Sequence, residues 1–355
     1  MMWFVLLPQY QEGKGMDRYK RQIAVIGKEG QQLISNATIM IIGLGGVGSP
    51  VAQYLAAAGV GKLILVDDDK VDLSNLHRQI LFSEADVGCY KAEKAKEFLS
   101  QINRHVIIEA YTNKFDVDFG CSSVTAVDLI IDGTDNFESR YLINDICALQ
   151  EKAFISCSIL VNIIQLILFD TKHICYRCLY PNPPPIGVVP NCSEAGVLGT
   201  VTGIAGTMTA NLALNYLLKI EKPEAPHVRI FDAKKFNLSS LSIKQNNECI
   251  ACKQKKINLD DLRTSGEEYG ITLEELDRSK YFLVDIRQKE ERDIIKLDDD
   301  LFFPIKGNNN YEFFLSYKDK KIIFYCASGH RSKLFASQLR KLGVDAYYLK
   351  MSLTR

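Results

Sequence analysis

The sequence predicts two α/β domains in succession, a larger one followed by a smaller one. Three observations lead there. A chain of 355 residues is too long for one ordinary core. A buried-type strand runs straight into a glycine-rich turn at Gly43. A second strand–loop–helix pattern, opened by Cys326, follows a polar stretch around residue 260.

Composition sets the outer limits. Hydrophobic content of 47% and charged content of 24% are those of a soluble globular protein. Lys plus Arg and Asp plus Glu both number 43, so no global basic field draws in nucleic acid or a membrane surface. The opening "MMWFVLLP" is too short to span a bilayer and lacks the charged start and cleavage site of a signal peptide. The expectation is a cytoplasmic protein whose ten cysteines stay reduced unless they bind metal.

Taken in order, "ATIMIIGLGGVG" (37–48) reads as a strand and turn. "SPVAQYLAAAGV" follows as a helix stopped by Gly59. "KLILVDDD" is the next strand and places Asp67 19 residues after Gly48. Strand, G-x-G-x-x-G (Gly43, Gly45, Gly48), helix, strand and acidic residue form a Rossmann βαβ arrangement. Glycines let a phosphate approach backbone N–H groups, and the carboxylate can accept from ribose hydroxyls. Next, "VDLSNLHRQILFSEADVGCYKAEKA" supplies Asn75, Arg78 and Lys91. Cations there can neutralise a triphosphate or a pyrophosphate leaving group, which hydride transfer does not need. "AVDLIIDGTDNFESRYLINDIC" is a further strand ending in Asp132, then Gly133, Asp135 and Asn136. An Asp beyond such a strand end can hold Mg²⁺ against phosphates or cap the helix that follows.

These motifs carry a resemblance. "RYKRQ" (Arg18–Gln22), "GLGGVG", "LVDDDKVDLSNLHRQ", "GCYKAEKA", "DGTDN", "CYRC", "NCSEAGVLG" and "CIAC", in this order, resemble the ThiF/MoeB branch of the ubiquitin-activating-enzyme-like family over about residues 15–252. The resemblance implies a largely parallel sheet continued by antiparallel strands. It also implies adenylation, by Mg²⁺·ATP, of the C-terminal glycine of a ubiquitin-like sulfur-carrier protein ending in Gly-Gly. Carried over, Gly46 and the loop cradle phosphate, and Asp67 holds ribose. Ser74, Asn75, Leu76, His77 and Arg78 form one nucleotide-binding run with Lys91, Asp135 is the magnesium ligand, and Asn136 stands beside it. Arg21 resembles an arginine that such enzymes insert into a partner subunit's ATP site, which implies a homodimer.

The cysteines fit the same frame. Cys175 and Cys178 form one C-x-x-C pair, Cys249 and Cys252 another, with 70 residues between the pairs. Four thiolates are the set of a closed tetrahedral zinc site. Together with the resemblance, the spacing gives the reading Zn²⁺; buried free cysteines are the alternative. Cys192, beyond a proline-rich stretch, is placed where some family members keep a catalytic cysteine. An exposed thiol there could accept the acyl group from the adenylate.

After Cys252, "KQKKINLDDLRTSGEEYG" reads as a linker, assigned to 253–268, with domains of 1–252 and 269–355 on either side. "ITLEELDRSKYFLVDIRQKEE" predicts a helix-like segment, a strand and Asp285-Ile286-Arg287. "KKIIFYCASGHRSKLFASQLRKLG" predicts a strand, a loop opened by Cys326 and an amphipathic helix. Loop N–H groups at a helix N-terminus stabilise a thiolate, and Arg331 adds positive charge. This stretch resembles a rhodanese domain, whose active-site cysteine carries a persulfide received from a donor such as a cysteine desulfurase. The four residues between Cys326 and Arg331 suit sulfur better than phosphate. Two departures mark the module as short and atypical. The "H-I-P-G-A" segment is replaced by "DIIKLDDDLFFPIKG", and "YYLKMSLTR" ends the chain where a glycine-rich turn and closing helix are usual.

The whole resembles fusions that adenylate a sulfur carrier and convert it to a thiocarboxylate, as in molybdopterin, thiamine or tRNA-thiolation pathways. Three rivals stand beside it. They are an adenylyltransferase with a degenerate second domain, a non-catalytic adaptor for a ubiquitin-like partner, and a dinucleotide-dependent oxidoreductase.

Overall fold

A computed structural model describes residues 16–184, 196–221, 226–259, 269–293, 297–305, 311–317, 319–327 and 329–350. They fall into two compact units. Residues 16–182 with those from 196 to 257 make the first, and the described residues from 258 onward belong to the second.

The first unit is built on one eight-stranded mixed sheet in the order β3-β2-β1-β4-β5-β6-β7-β8. Its parallel half contains β1 (Thr38–Ile42), β2 (Lys62–Val66), β3 (Ile107–Tyr111), β4 (Leu129–Asp132) and the start of β5 (Phe154–Leu160). Strands β6 (Ile163–Phe169), β7 (His227–Asp232) and β8 (Asn237–Ser242) continue it antiparallel. This is the mixed sheet that the resemblance implied. In β1, β2 and β4 nearly every residue is buried, as befits parallel strands covered on both faces.

Helices α1 (Lys20–Asn36), α2 (Gly48–Ala58), α3 (Lys91–Ile102), α4 (Val117–Ser123), α5 (Phe137–Gln150), α6 (Tyr176–Leu179) and α7 (Gly199–Leu217) cover it. Helix α2 stops where the sequence signals, because Gly59 takes φ +82° and its N–H returns to Ala56 and Leu55. After β1, β2 and β3 the chain crosses back to lay β4 against β1. The carboxyl ends of β1 and β4 therefore flank the switch point, where such sheets bind ligands.

The second unit is a five-stranded parallel sheet, β11-β10-β12-β13-β9. It comprises β9 (Gly270–Ile271), β10 (Tyr281–Asp285), β11 (Leu301–Phe302), β12 (Lys321–Tyr325) and β13 (Ala346–Leu349). Its helices are α8 (Lys289–Arg292), α9 (Tyr311–Leu315) and α10 (His330–Lys341), over a core rich in Phe314, Phe324 and Phe335. One expectation fails here. Residues 272–280 form turns rather than a helix. Thr272 and Glu275 bond each other's backbone, and Asp277 accepts the Ser279 N–H and hydroxyl, so the backbone donors are used locally before β10 begins. The stretch that replaces "H-I-P-G-A" still supplies a strand, since β11 pairs in parallel with β10.

Candidate active site

Side chains gather at the switch point in the first unit. Gly43 takes φ +85°, and a Cβ there would lie 3.0 Å from the Gly133 backbone, so the turns after β1 and β4 touch. A Cβ on Gly48 would sit 1.9 Å from the Gly43 oxygen, a position only glycine can fill. These two glycines close the turn on itself. Gly45 is roomier, since a Cβ there would meet only the Gln79 amide nitrogen, at 3.8 Å.

Asp67 follows β2 and is bonded into this turn. Its Oδ2 accepts the Leu44 N–H at 2.6 Å and its Oδ1 the Asp69 N–H at 2.9 Å. Burial raises its pKa to about 6, against the opposing pull of Lys91 and the Leu44 N–H. Lys91, buried at the start of α3, donates to Asp69 at 2.8 Å while Asp69 itself is largely exposed. Ser74 to Arg78 form one short turn capped by Asp72, whose carboxylate accepts the Ser74 N–H at 2.8 Å. The Asn75 amide lies 3.5 Å from the Ser74 hydroxyl. Arg78 donates to the Ser74 carbonyl at 3.0 Å and lies 2.8 Å from His77 Nε2. Leu76 packs against the main core. The start of α7 closes the other side. A Cβ on Gly199 would strike the His77 oxygen at 2.1 Å, and one on Gly46 would meet Thr202 at 2.9 Å.

After β4, Asp132 accepts the Thr134 N–H and hydroxyl and is paired with buried Arg140 at 2.8 Å. Asn136 caps α5 by accepting the Ser139 N–H at 2.8 Å. The capping role open to Asp135 in the sequence thus falls to Asn136. The Asp135 carboxylate is exposed, with no hydrogen bond or ion pair among the described residues. Arg21 is likewise exposed, in the first turn of α1, with no such partner. Sequence reasoning passed over Gln79, Thr202 and Arg140. Gln79 is 4% exposed, and its Oε1 is buried without a hydrogen-bond partner among the described residues. It closes the "NLHRQ" run, the signal that could have found it.

The two cysteine pairs meet. The Sγ atoms of Cys175, Cys178, Cys249 and Cys252 lie within 4.8 Å of one another, with Cys175–Cys249 at 3.6 Å and Cys178–Cys252 at 3.5 Å. Sulfurs of a tetrahedral site with Zn–S of about 2.3 Å stand about 3.8 Å apart, so this donor set fits zinc. Cys192 lies outside the described residues.

In the second unit, Cys326 directly follows β12 and α10 begins four residues later. Its Sγ accepts the Ser332 N–H at 3.4 Å and lies 3.5 Å from the Ser332 hydroxyl. The residue, a nucleophile candidate in the sequence, is 0% exposed. The charge expected from Arg331 is also shared. Both of its terminal nitrogens bond Glu291, Nη1 at 2.9 Å. Asp285, which ends β10, and Arg287 form a buried fork at 3.0 and 2.9 Å.

Comparison with known proteins now decides the family. The model of the ThiF family matches residues 19–252. The chain belongs to the ThiF family. The model of the Rhodanese-like domain matches residues 271–355. A sulfur carrier protein adenylyltransferase of Thermus thermophilus is 40% identical over 245 residues, 67% of this chain and 90% of that protein. Adenylyltransferase and sulfurtransferase MOCS3 of Xenopus laevis is 34% identical over 362 residues, 93% of this chain and 79% of that protein. The crystal structure of E. coli MccB with MccA-N7isoASN shares the fold at TM-score 0.59 and 22% identity, covering 69% of this chain and 77% of that one. That of MccB with ATP gives TM-score 0.57 at 23% identity, covering 66% and 74%. Both resemblances read from the motifs are borne out. No helix among the described residues is long and apolar enough to cross a membrane.

Proposed function

We propose that this protein uses ATP to adenylate the C-terminal glycine of a ubiquitin-like sulfur carrier and then transfers sulfur to it, giving a thiocarboxylate. The observation that carries the first step is the meeting, at one switch point, of the glycine turn, buried Asp67 and the exposed Asp135. The names of the relatives support an adenylyltransferase joined to a sulfurtransferase.

A carboxylate is a poor electrophile and must first be activated. The carrier's carboxylate attacks the α-phosphate of ATP, forming an acyl-adenylate and releasing pyrophosphate. Asp67 accepts from ribose, Arg78 and Lys91 balance phosphate charge, and Gly45 leaves room for it. Lys91 would exchange Asp69 for phosphate. Asp135, without a partner of its own among the described residues, would hold Mg²⁺, which neutralises charge on the phosphates when bound. Arg21 would complete the site of a second copy, supported by its exposure and by that of Val25, 85% exposed one turn further along α1. Zinc held by the four cysteines is structural and ties the β6–α6 turn to the segment after β8. Four free thiolates as ligands fit a reducing, cytoplasmic setting.

For the second step, Cys326 receives sulfane sulfur from an upstream persulfide donor. The persulfide attacks the acyl carbon, AMP leaves, and an acyl disulfide forms. A second thiol, for which Cys192 is the candidate, attacks the Cys326 sulfur. That releases the thiocarboxylate and leaves a disulfide, which a thiol reductant reopens. The complete burial of Cys326 favours one alternative, an adenylating enzyme that takes its sulfur from elsewhere.

The first step is tested by pyrophosphate exchange into ATP, expected only with a carrier ending in Gly-Gly. Asp135→Ala should lower it about 10²- to 10³-fold, the usual loss for one well-placed electrostatic group. Near-normal exchange would remove Asp135 from the magnesium site.

A further inference from the structure

The cysteine cluster and the Asp135 turn lie at the two ends of one face of α5. Arg140, Tyr141, Asn144, Asp145 and Ala148 recur at helical spacing along it. At the N-terminal end, Arg140 Nε donates to Asp132 at 2.8 Å, and its Nη2 donates to the carbonyls of Thr134 at 3.1 Å and Cys157 at 3.2 Å. Asp132 in turn holds Thr134, so the residue just before Asp135 is fixed from both sides.

Further along the face, the helix grips the knuckle between Cys175 and Cys178. The Tyr176 N–H donates to Asn144 Oδ1 at 2.7 Å. Arg177 forks onto the Asp145 carboxylate at 2.6 and 2.7 Å and lies 4.6 Å over the Tyr141 ring. The Tyr176 ring meets Tyr141 edge-on at 5.2 Å, with the Arg140 guanidinium 6.0 Å above it. Ala148 packs among Cys175, Cys249 and Cys252.

We infer that Arg177 and Arg140 are positioning residues for adenylation. Arg177 locks α5 to the cysteine knuckle, and Arg140 passes the helix position to the turn that presents Asp135. Asp145 is 0% exposed, so without Arg177 its charge is buried and unbalanced and the helix must shift to hydrate it. Arg140 spans a side chain and two carbonyls on β4, β5 and the turn, an arrangement that tolerates little displacement. This rests on the reading of Asp135 as the magnesium-side carboxylate.

The test is Arg177→Met, which keeps all four thiolates. The variant should hold a normal zinc complement, yet amide exchange across 132–136 should rise. The Mg²⁺ midpoint for pyrophosphate exchange should rise with it, by about 2- to 30-fold, the range of couplings carried through packed elements. Arg140→Lys keeps the charge but cannot reach Asp132 and both carbonyls at once, and should move the same two readouts while zinc retention stays normal. A zinc-loaded Arg177→Met protein with faster exchange at 175–180 alone, and a native Mg²⁺ midpoint, overturns the inference. Should that variant not accumulate, mild chelation of the native protein decides. Exchange rising at 132–136 together with 175–180 supports the coupling, and a rise at 175–180 alone contradicts it. A normal Asp135→Ala enzyme would remove the magnesium reading but leave the amide-exchange result standing.

Discussion

Asp67 accepts the Leu44 N–H at 2.6 Å, which bonds the carboxylate after β2 directly to the glycine turn after β1. Burial raises its pKa to about 6, so before nucleotide binds it is partly protonated near that pH. Ribose hydroxyls donating to it favour the ionised form. ATP binding should therefore release a proton around pH 6, with affinity rising as pH rises through that value and levelling off about one unit above. Calorimetry in buffers of different ionisation enthalpy checks this, and Asp67→Asn should abolish the proton release. An affinity independent of pH across this range would exclude the role given to Asp67.

The cysteine cluster predicts about one zinc per chain. Cys249→Ser should lower both zinc content and melting temperature, because forming such a site is linked to folding. Elemental analysis of carefully purified native protein is the check. A native protein free of zinc, melting no higher when zinc is added, would reject the site.

Glu291 bonds Arg331 and accepts the Gln288 N–H at 2.9 Å. Burial pushes its pKa up, but the Arg331 and Gln288 hydrogen bonds win and hold it below the ordinary glutamate value. A lowered carboxylate pKa contributes stability above the unfolded-state value, lost as pH falls through the folded one. Glu291→Gln should thus lower the melting temperature most near neutral pH, and the gap should close below about pH 4. Thermal melts across pH decide it; a gap that widens in acid would contradict the pairing.

Local order was legible and long-range pairing was not. The β1–turn–α2–β2 unit could be read because apolar runs and glycines alternate at fixed spacing, and Gly59 stops α2 where expected. The antiparallel β6 to β8 carry no period that marks their direction, and only the resemblance supplied it. The cysteine pairs are visible as motifs, yet bringing them within 4.8 Å takes the whole sheet edge. Arg140 reads as one more charged residue on a helix until β4 and β5 place Asp132 and the Cys157 carbonyl against it. The turns at 272–280 misled because Thr272 and Glu275 carry a helix-start signature that closes on itself.

The central claim is that one chain both adenylates a carrier and supplies its sulfur. On the proposed reading, adenylation would use residues before about 252, whereas sulfur transfer would need Cys326, whose Sγ takes the Ser332 N–H at 3.4 Å. The decisive measurement is the mass of a Gly-Gly carrier after incubation with ATP, Mg²⁺, a persulfide donor and thiol reductant. Native protein should add the roughly 16 mass units of an oxygen-to-sulfur exchange. Cys326→Ser should form the acyl-adenylate and no thiocarboxylate, and Cys192→Ser should form the adenylate and release thiocarboxylate slowly. Thiocarboxylate formed at the native rate by Cys326→Ser would contradict the account, leaving an adenylating enzyme whose sulfur comes from another protein.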